Sequence, residues 1–291
     1  MKIKIYQMKI GTDTDNAVFR GASELIVDGH VDETQYKCVF KGYMKASGLD
    51  DVYARLNEDL IPPTYQGRSM SVSDVLIVEP DDLPEYYGLI RIDWPGERGT
   101  ETHGFTDQEK MDDMKRLLDS AGISYKADYV QDKHMKSVRP GAYFCDSIGW
   151  KELDFRENLA EEMDGIRVIR IEPGHPAYET CVKPDLRSLQ NAVSDHGEPS
   201  LIEISWPLSE PKGDLVIGNE EAKLIGMEGN RYIGHELYAG PILFARETAK
   251  GDLKGLHEKD VRSLMQVFSD APQITQEQVR RSIGFGFADL S

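Results

Sequence analysis

Tyr65-Gln66-Gly67-Arg68-Ser69-Met70-Ser71-Val72-Ser73-Asp74-Val75-Leu76-Ile77-Val78 is the stretch on which the reading of this chain turns. It opens at a Gly turn, alternates hydroxyl and apolar residues, passes one Asp and ends in four consecutive aliphatics. The pattern predicts a strand entered from a fixed loop, with Ser69, Ser71 and Ser73 on one face at period two. On that strand the serines, with Arg68 and Asp74, would form a hydroxyl-lined edge for a small ligand or peptide. The structural alternative has Ser69 and Asp74 satisfying turn and strand-end backbone groups. It is preferred because no Gly-x-Ser-x-Gly elbow or partnered His accompanies the serines.

Working outward, residues 3–10 and 36–43 read as strands. Residues 48–57 read as a helix with Leu49, Val52, Tyr53 and Leu56 on one face, Ser47 as its cap and Pro62-Pro63 as its stop. Residues 86–94 alternate as a strand and residues 95–100 form a loop. Thr106-Asp107-Gln108-Glu109 is a capping box that opens a helix carrying Met111, Met114, Leu117 and Leu118. Residues 142–155 return as a strand pair or a bulged strand. The short, acidic, helix-permissive segment 156–165 marks a domain boundary.

Beyond it, Ile166–Ile171 is a strand, and Pro184-Asp185 leads a helix bearing Leu186, Leu189 and Val193. Strands are expected at 201–206, 215–218, 223–226 and 242–246, with a tight turn at Gly229-Asn230. Val261, Leu264, Met265 and Phe268 mark a further helix, and Thr275-Gln276-Glu277-Gln278 caps a last one. The expected fold is two α+β domains, 1–156 (with an insertion near 95–140) and 165–291. Each is a mainly antiparallel sheet with helices packed on one side.

The 291 residues carry 34 basic and 51 acidic side chains, a net charge of -17. The excess is spread along the chain: 19 basic against 28 acidic residues in 1–155, 1 against 4 in 156–164 and 14 against 19 in 165–291. Such a field argues against direct nucleic-acid binding, because DNA and RNA backbones are polyanions. It suits solubility, or an acidic surface that occupies a DNA-binding groove on another protein. Cys38, Cys145 and Cys181 are dispersed and odd in number, which points to a reducing, cytoplasmic setting. The N-terminal residues alternate and lack the apolar core of a signal peptide, and no run is long enough for a membrane span.

No cofactor or metal is expected. The seven histidines are scattered without metal-pair spacing. Asp13-Thr14-Asp15-Asn16 begins like a calcium loop but lacks the later Gly and Glu, so a solvated turn is the better reading. The best-marked positions of the second half are Asn219-Glu220-Glu221 and Asn230-Arg231. A site reading gathers Glu220, Glu221 and Arg231 around a polar ligand or partner. The structural reading, which is preferred, makes both Asn turn residues and has Arg231 bridge to a carboxylate across the hairpin.

Two resemblances add context. Tyr6-Gln7-Met8-Lys9, Leu56-Asn57 with Pro62-Pro63 and, above all, Gly67 to Val75 resemble the YodL-like family; Arg68 stands where that family commonly has His. Ala142 to Asp146 with Gly149-Trp150 is similar to the family's closing strand. Leu186 to Gln190, Ile202-Glu203, Asn219 to Leu224, Asn230-Arg231 and Gly240 to Leu243 resemble domain-of-unknown-function family thirty-eight forty-six. The resemblances imply a bacterial mobile element or prophage, where such domains accompany anti-restriction proteins. The expectation is a non-enzymatic interaction protein with a protein partner, in its sharper form an acidic decoy for a DNA-binding protein. A ligand-binding module on the Ser69–Asp74 strand is the alternative. A hydrolase would require the fold to bring a His against one of the serines or aspartates.

Overall fold

The computed structural model describes residues 1–11, 17–58, 61–80, 88–93, 100–105, 108–129, 138–194, 199–207 and 214–283. The loop at 95–99, Thr106-Asp107 of the expected capping box and the Asp13–Asn16 turn lie outside the described residues. The chain divides into two compact units, Met1–Asp81 with Val138–Ser291, and Asp82–Ser137. The expected boundary at 156–165 therefore falls inside the first unit.

In chain order, that unit begins with β1 (Lys2–Met8), α1 (Ala22–Leu25), β2 (Tyr36–Tyr43), α2 (Leu49–Asn57) and β3 (Val75–Val78). The Asp82–Ser137 unit holds β4 (Gly88–Asp93), β5 (Thr100–Phe105), α3 (Gln108–Ser120) and β6 (Tyr125–Tyr129). Its three strands run antiparallel in the order β5-β4-β6, and Ile90, Ile92, Met111 and Leu118 form its core. The first unit resumes with β7 (Gly141–Cys145) and β8 (Trp150–Leu153), which complete the antiparallel sheet β2-β1-β3-β7-β8.

Strand alternation gives this sheet two apolar faces. Ile3, Ile5, Leu76, Val78 and Cys145 pack with Val52 and Leu56 of α2. Tyr6, Met8, Cys38, Val75, Ile77 and Phe144 pack with Ala22 and Met163 on the other side. The cap of α2 differs from expectation. Gly48 holds the cap position, and Asp51 reaches back to accept from the Ser47 backbone N–H (2.8 Å) and hydroxyl (3.0 Å).

The second sheet is formed by β9 (Ile166–Ile171), β10 (Tyr178–Val182), β11 (Ile202–Ser205), β12 (Asp214–Asn219), β15 (Ile242–Glu247) and the short β16 (Leu253–Lys254). Its order is β10-β9-β15-β12-β11, antiparallel throughout, with β16 paired to β15. The α+β class with antiparallel sheets is as expected, but here the helices are divided between two faces. Leu189, Ala192 and Val193, of and just after α4 (Leu186–Ala192), cover Val168, Leu215, Ile217 and Leu243. Val261 and Leu264 of α5 (Glu258–Val267), with Phe268, cover Ile169, Val216, Ile242 and Phe244. Strands apolar on both faces need a cover on each.

Two local expectations give way here. Residues 220–226 form turns, not a strand, and Gly229-Asn230 opens a strand, not a turn. The hairpin is β13 (Gly229–Ile233) and β14 (Glu236–Ala239), turning at Gly234 (φ +62°). A Cβ on Gly229 would collide with Ile274 and Val279, the residues by which α6 (Gln276–Ser282) and its lead-in sit on the hairpin. The capping box at Thr275 and Gln278 is formed.

The 156–165 segment makes one short 3-10 turn, Glu157–Leu159, and then runs extended along the edge of β2. The Cys38 N–H donates to the Glu161 carbonyl and the Glu161 N–H to the Tyr36 carbonyl, at 2.8 and 2.9 Å. Its acids meet the lysines of β1, β2 and the residue after β1: Lys4–Glu157 (2.9 Å), Lys9–Glu161 (3.3 Å), Lys37–Asp164 (2.7 Å) and Lys41–Glu162 (2.8 Å). Lys37 holds Glu161 and Asp164 below the usual carboxylate range, so these pairs contribute at neutral pH and are lost as pH falls through the lowered values. Beyond the seam, Tyr43 packs edge-on against Tyr178 and at a 31° tilt against His175, joining β2 to the second sheet.

Backbone pairing and the buried Met163 dominate this seam, since exposed ion pairs contribute about 0–1 kcal/mol each. Met163→Ala should cost about 2–5 kcal/mol in denaturant unfolding. Lys37→Ala with Lys41→Ala should cost less than about 2 kcal/mol together.

Candidate functional site

The stretch that opened the sequence reading is not a strand until Val75. Residues 66–74 wind around the Asp74 side chain, which has no solvent-exposed surface. The serines accordingly share no face: Ser69 is exposed, Ser71 half-buried and Ser73 buried at φ +78°. A carboxylate taken out of water has to find its donors inside the protein, and the loop supplies them. Arg68 binds it end-on through both Nη groups, Nη1 to Oδ2 at 2.9 Å and Nη2 to Oδ1 at 2.6 Å. The Ser71 N–H (2.8 Å) and Gln7 Nε2 (3.0 Å) donate to Oδ2.

Gln7, on β1, was marked in the sequence only by the family resemblance and not as a site residue, and it ties the loop to the sheet. Its Oε1 accepts the Arg68 N–H (2.9 Å), and its Nε2 also donates to the Arg68 carbonyl (3.0 Å). Tyr65 Oη donates to the same carbonyl at 2.5 Å. A Cβ on Gly67 would stand 2.5 Å from Gln7 Oε1 and 2.8 Å from the Tyr65 ring, so the close approach of loop to β1 requires Gly there. Tyr36 Oη donates to the Ser73 carbonyl (2.9 Å), and Ser73 Oγ accepts the Phe19 N–H (3.2 Å). The Phe19 ring lies under the Arg68 guanidinium, 5.2 Å from its carbon.

The second set of marked residues is divided. Asn219 Oδ1 accepts the Glu221 N–H (2.9 Å), a local turn bond, while Glu220 and Glu221 are exposed. Asn230 is fully buried in β13, where Nδ2 donates to the carbonyls of Ile171 (2.9 Å) and Gly240 (2.8 Å). Arg231 donates to the His175 carbonyl (2.8 Å), and its carboxylate is Asp270, beyond α5 and not across the hairpin. So Asn230 and Arg231 pin the hairpin to β9 and to the chain after α5, and they do not join Glu220 and Glu221 at one site. A cleft of about 70 Å³ lies beside Asn219 and Glu220, also lined by Glu203, Ser205, Lys223, Glu236 and Tyr238. That is far below the roughly 300–1,000 Å³ of small-molecule sites.

Two further buried networks carried no sequence signal. Arg170, nearly fully buried, donates to Tyr178 Oη (2.8 Å) and pairs with Glu172, to which Tyr178 also donates (2.6 Å). Arg246 stands between the buried Asp214 (3.2 Å) and Asp260 (3.4 Å), and burial with the nearby Asp260 pushes the Asp214 carboxyl up to about 6. Burial also raises the thiols, Cys38 to about 11 and Cys145 to about 12, which leaves them poor nucleophiles. Among the described residues no group of three or more His, Cys, Asp or Glu is placed to hold a metal ion. No described helix is long and apolar enough to cross a membrane.

Burial pushes the Asp74 carboxyl up to about 6, against the opposing pull of Arg68, the Ser71 N–H and Gln7. The folded value stands above the ordinary Asp value, so this group's contribution to stability is full below about pH 4 and is lost as pH rises through about 6. Carbon-detected NMR of the Asp74 carboxyl should show a midpoint near 6. Arg68→Gln should move that midpoint higher, because a favourable cation is removed.

Comparison with known families covers two stretches of the chain. Neither the curated proteins nor the solved structures compared with this chain include a match. Residues 2–88 match the YodL-like domain, a match that stops short of β7 and β8 although these complete the same sheet. Residues 166–269 match a domain of unknown function (DUF3846), so the chain joins a YodL-like domain to a DUF3846 domain.

Proposed function

We propose that this chain is a non-enzymatic interaction protein that works by binding a protein partner on its outer surface. The observation that carries this reading is where the polar groups are spent. Arg68, Asp74, Asn230 and Arg231 are engaged by neighbouring residues and hold loops in place. The acids around the last strand of the second sheet, Glu203, Glu220 and Glu221, face outward, beside the exposed Leu201, Ile204 and Trp206. Apolar side chains set among charges at a surface suit protein contact.

A ligand module on residues 69–74 has less support, because the Asp74 carboxylate is enclosed by its four donors. The acidic decoy is the sharper form of the proposal, and the net charge of -17 favours it. Its phosphate-like acids would have to come from outside the 157–164 seam, whose carboxylates are matched to lysines. A cytoplasmic setting in a bacterial mobile element is the context in which we place this role.

Immobilised protein exposed to a nuclease-treated bacterial lysate should retain one protein in near-stoichiometric amount. Loss of that protein as salt rises, with displacement by duplex DNA, would identify the decoy form. Retention of no protein at any salt would contradict the proposal.

A further inference from the structure

β11 is the outermost strand of the second sheet, and it differs from the edges at β2 and β10. The edge of β2 is covered by the 156–165 segment, and β10, at the far side of the second sheet, lies against β2. β11 pairs with β12 alone, in the register Ile202↔Asn219 to Ser205↔Val216. The Glu220 N–H donates to the Leu201 carbonyl at 3.0 Å. In an antiparallel ladder hydrogen-bonded pairs alternate, so the pairs Glu203–Gly218 and Ser205–Val216 exchange bonds with β12. The N–H and C=O of Ile202 and Ile204 therefore point away from the sheet, and among the described residues nothing pairs with them. Uncovered strand edges are templates for a further strand.

The two sides of this edge differ in chemistry. Ile202, Ile204 and Trp206 alternate onto one side, and Trp206 is 56% exposed. Glu203 and Ser205 alternate onto the other, where the cleft brings Glu220 and Glu236 alongside. Lys223 is the lone base among the cleft residues and already pairs with Glu236 at 3.5 Å. Glu203 and Glu220 make no ion pair among the described residues. An added strand with basic residues at every second position would set them over the acids and lay its apolar residues against Ile204 and Trp206.

We propose that β11 is a docking edge for an extended segment of a partner protein, in which basic and apolar side chains alternate. The inference rests on the interaction reading above and names its surface and the chemistry of its ligand. Backbone pairing to Ile202 and Ile204 supplies affinity, and the acid-lined side supplies selectivity for basic residues.

The test uses the full chain and two capped hexapeptides, one alternating Lys with Val and one alternating Glu with Val. The Lys peptide should bind, perturb the amide resonances of Ile202 and Ile204, and weaken as salt rises. Ile204→Pro deletes an outward N–H without touching the ladder to β12, and it should weaken binding at least tenfold while the unfolding transition is kept. Glu203→Lys with Glu220→Lys should weaken it to a similar degree and favour the Glu peptide instead.

Absence of binding, equal binding of both peptides, or indifference to Ile204→Pro would each overturn the assignment. So would sedimentation of the free chain as a dimer with the Ile204 amide protected, which would place a second copy on this edge. Lysate capture by the Ile204→Pro variant separates the two levels of the argument. A partner still retained would overturn this surface and leave the interaction reading standing.

Discussion

Much of the YodL-like domain follows from one constraint: the Asp74 carboxylate has to be satisfied without water. A buried charge costs several kcal/mol unless it is paired and hydrogen-bonded, and Asp74 lies immediately before β3, where backbone groups of the strand are already committed. The loop ahead of it is therefore shaped by donors. Gly67 lets the chain come against Gln7, Arg68 turns inward, and Ser71 presents its N–H. The Asp74 carbonyl and the Ser73 N–H then meet the ends of β7 at Cys145. Asp74 thus relates three adjacent strands of the sheet, β1 through its side chain and β7 through its backbone, at the start of β3.

A second constraint joins the two domains. The edge of β2 would be an open strand, and the 156–165 segment closes it with backbone bonds, with Met163 buried in the core behind it. The same segment presents its acids to Lys4, Lys9, Lys37 and Lys41. This acidic stretch thereby becomes one of the better-neutralised surfaces among the described residues. Tyr43, Tyr178 and His175 extend the contact beyond the seam.

What was legible in the sequence was periodicity with a large apolar content. The α2 and α5 helices, β9 and β12 were read within a few residues, and the Thr275 capping box was read in full. The misreadings share a cause. Residues 66–74 alternate as a strand does, yet a buried ion pair and a positive φ at Ser73 override that pattern. Gly229-Asn230 has turn chemistry, but Gly229 is needed for close approach of Ile274, and Asn230 for two carbonyls that it meets only in the folded chain. The lysine partners of the acidic linker left no mark in its sequence, because they are more than a hundred residues away. The structural reading of Asp74 was available from the sequence; Gln7 as its partner was not, since no spacing rule links them.

The central claim is that the most recognisable motif of this chain is an internal knot and not a ligand site. A double-mutant cycle on Arg68 and Asp74 tests it most directly, with Arg68→Met and Asp74→Leu made singly and together and stability read by urea unfolding. Arg68→Met leaves the buried Asp74 carboxylate without its cation and should cost about 3–5 kcal/mol, and Asp74→Leu, which leaves the half-buried Arg68 unpaired, should cost less. The double change removes both charges and should cost well under the sum, with a coupling of roughly 1–3 kcal/mol. Small, additive losses would contradict the account and return residues 68–74 to the surface as a site held ready for something else.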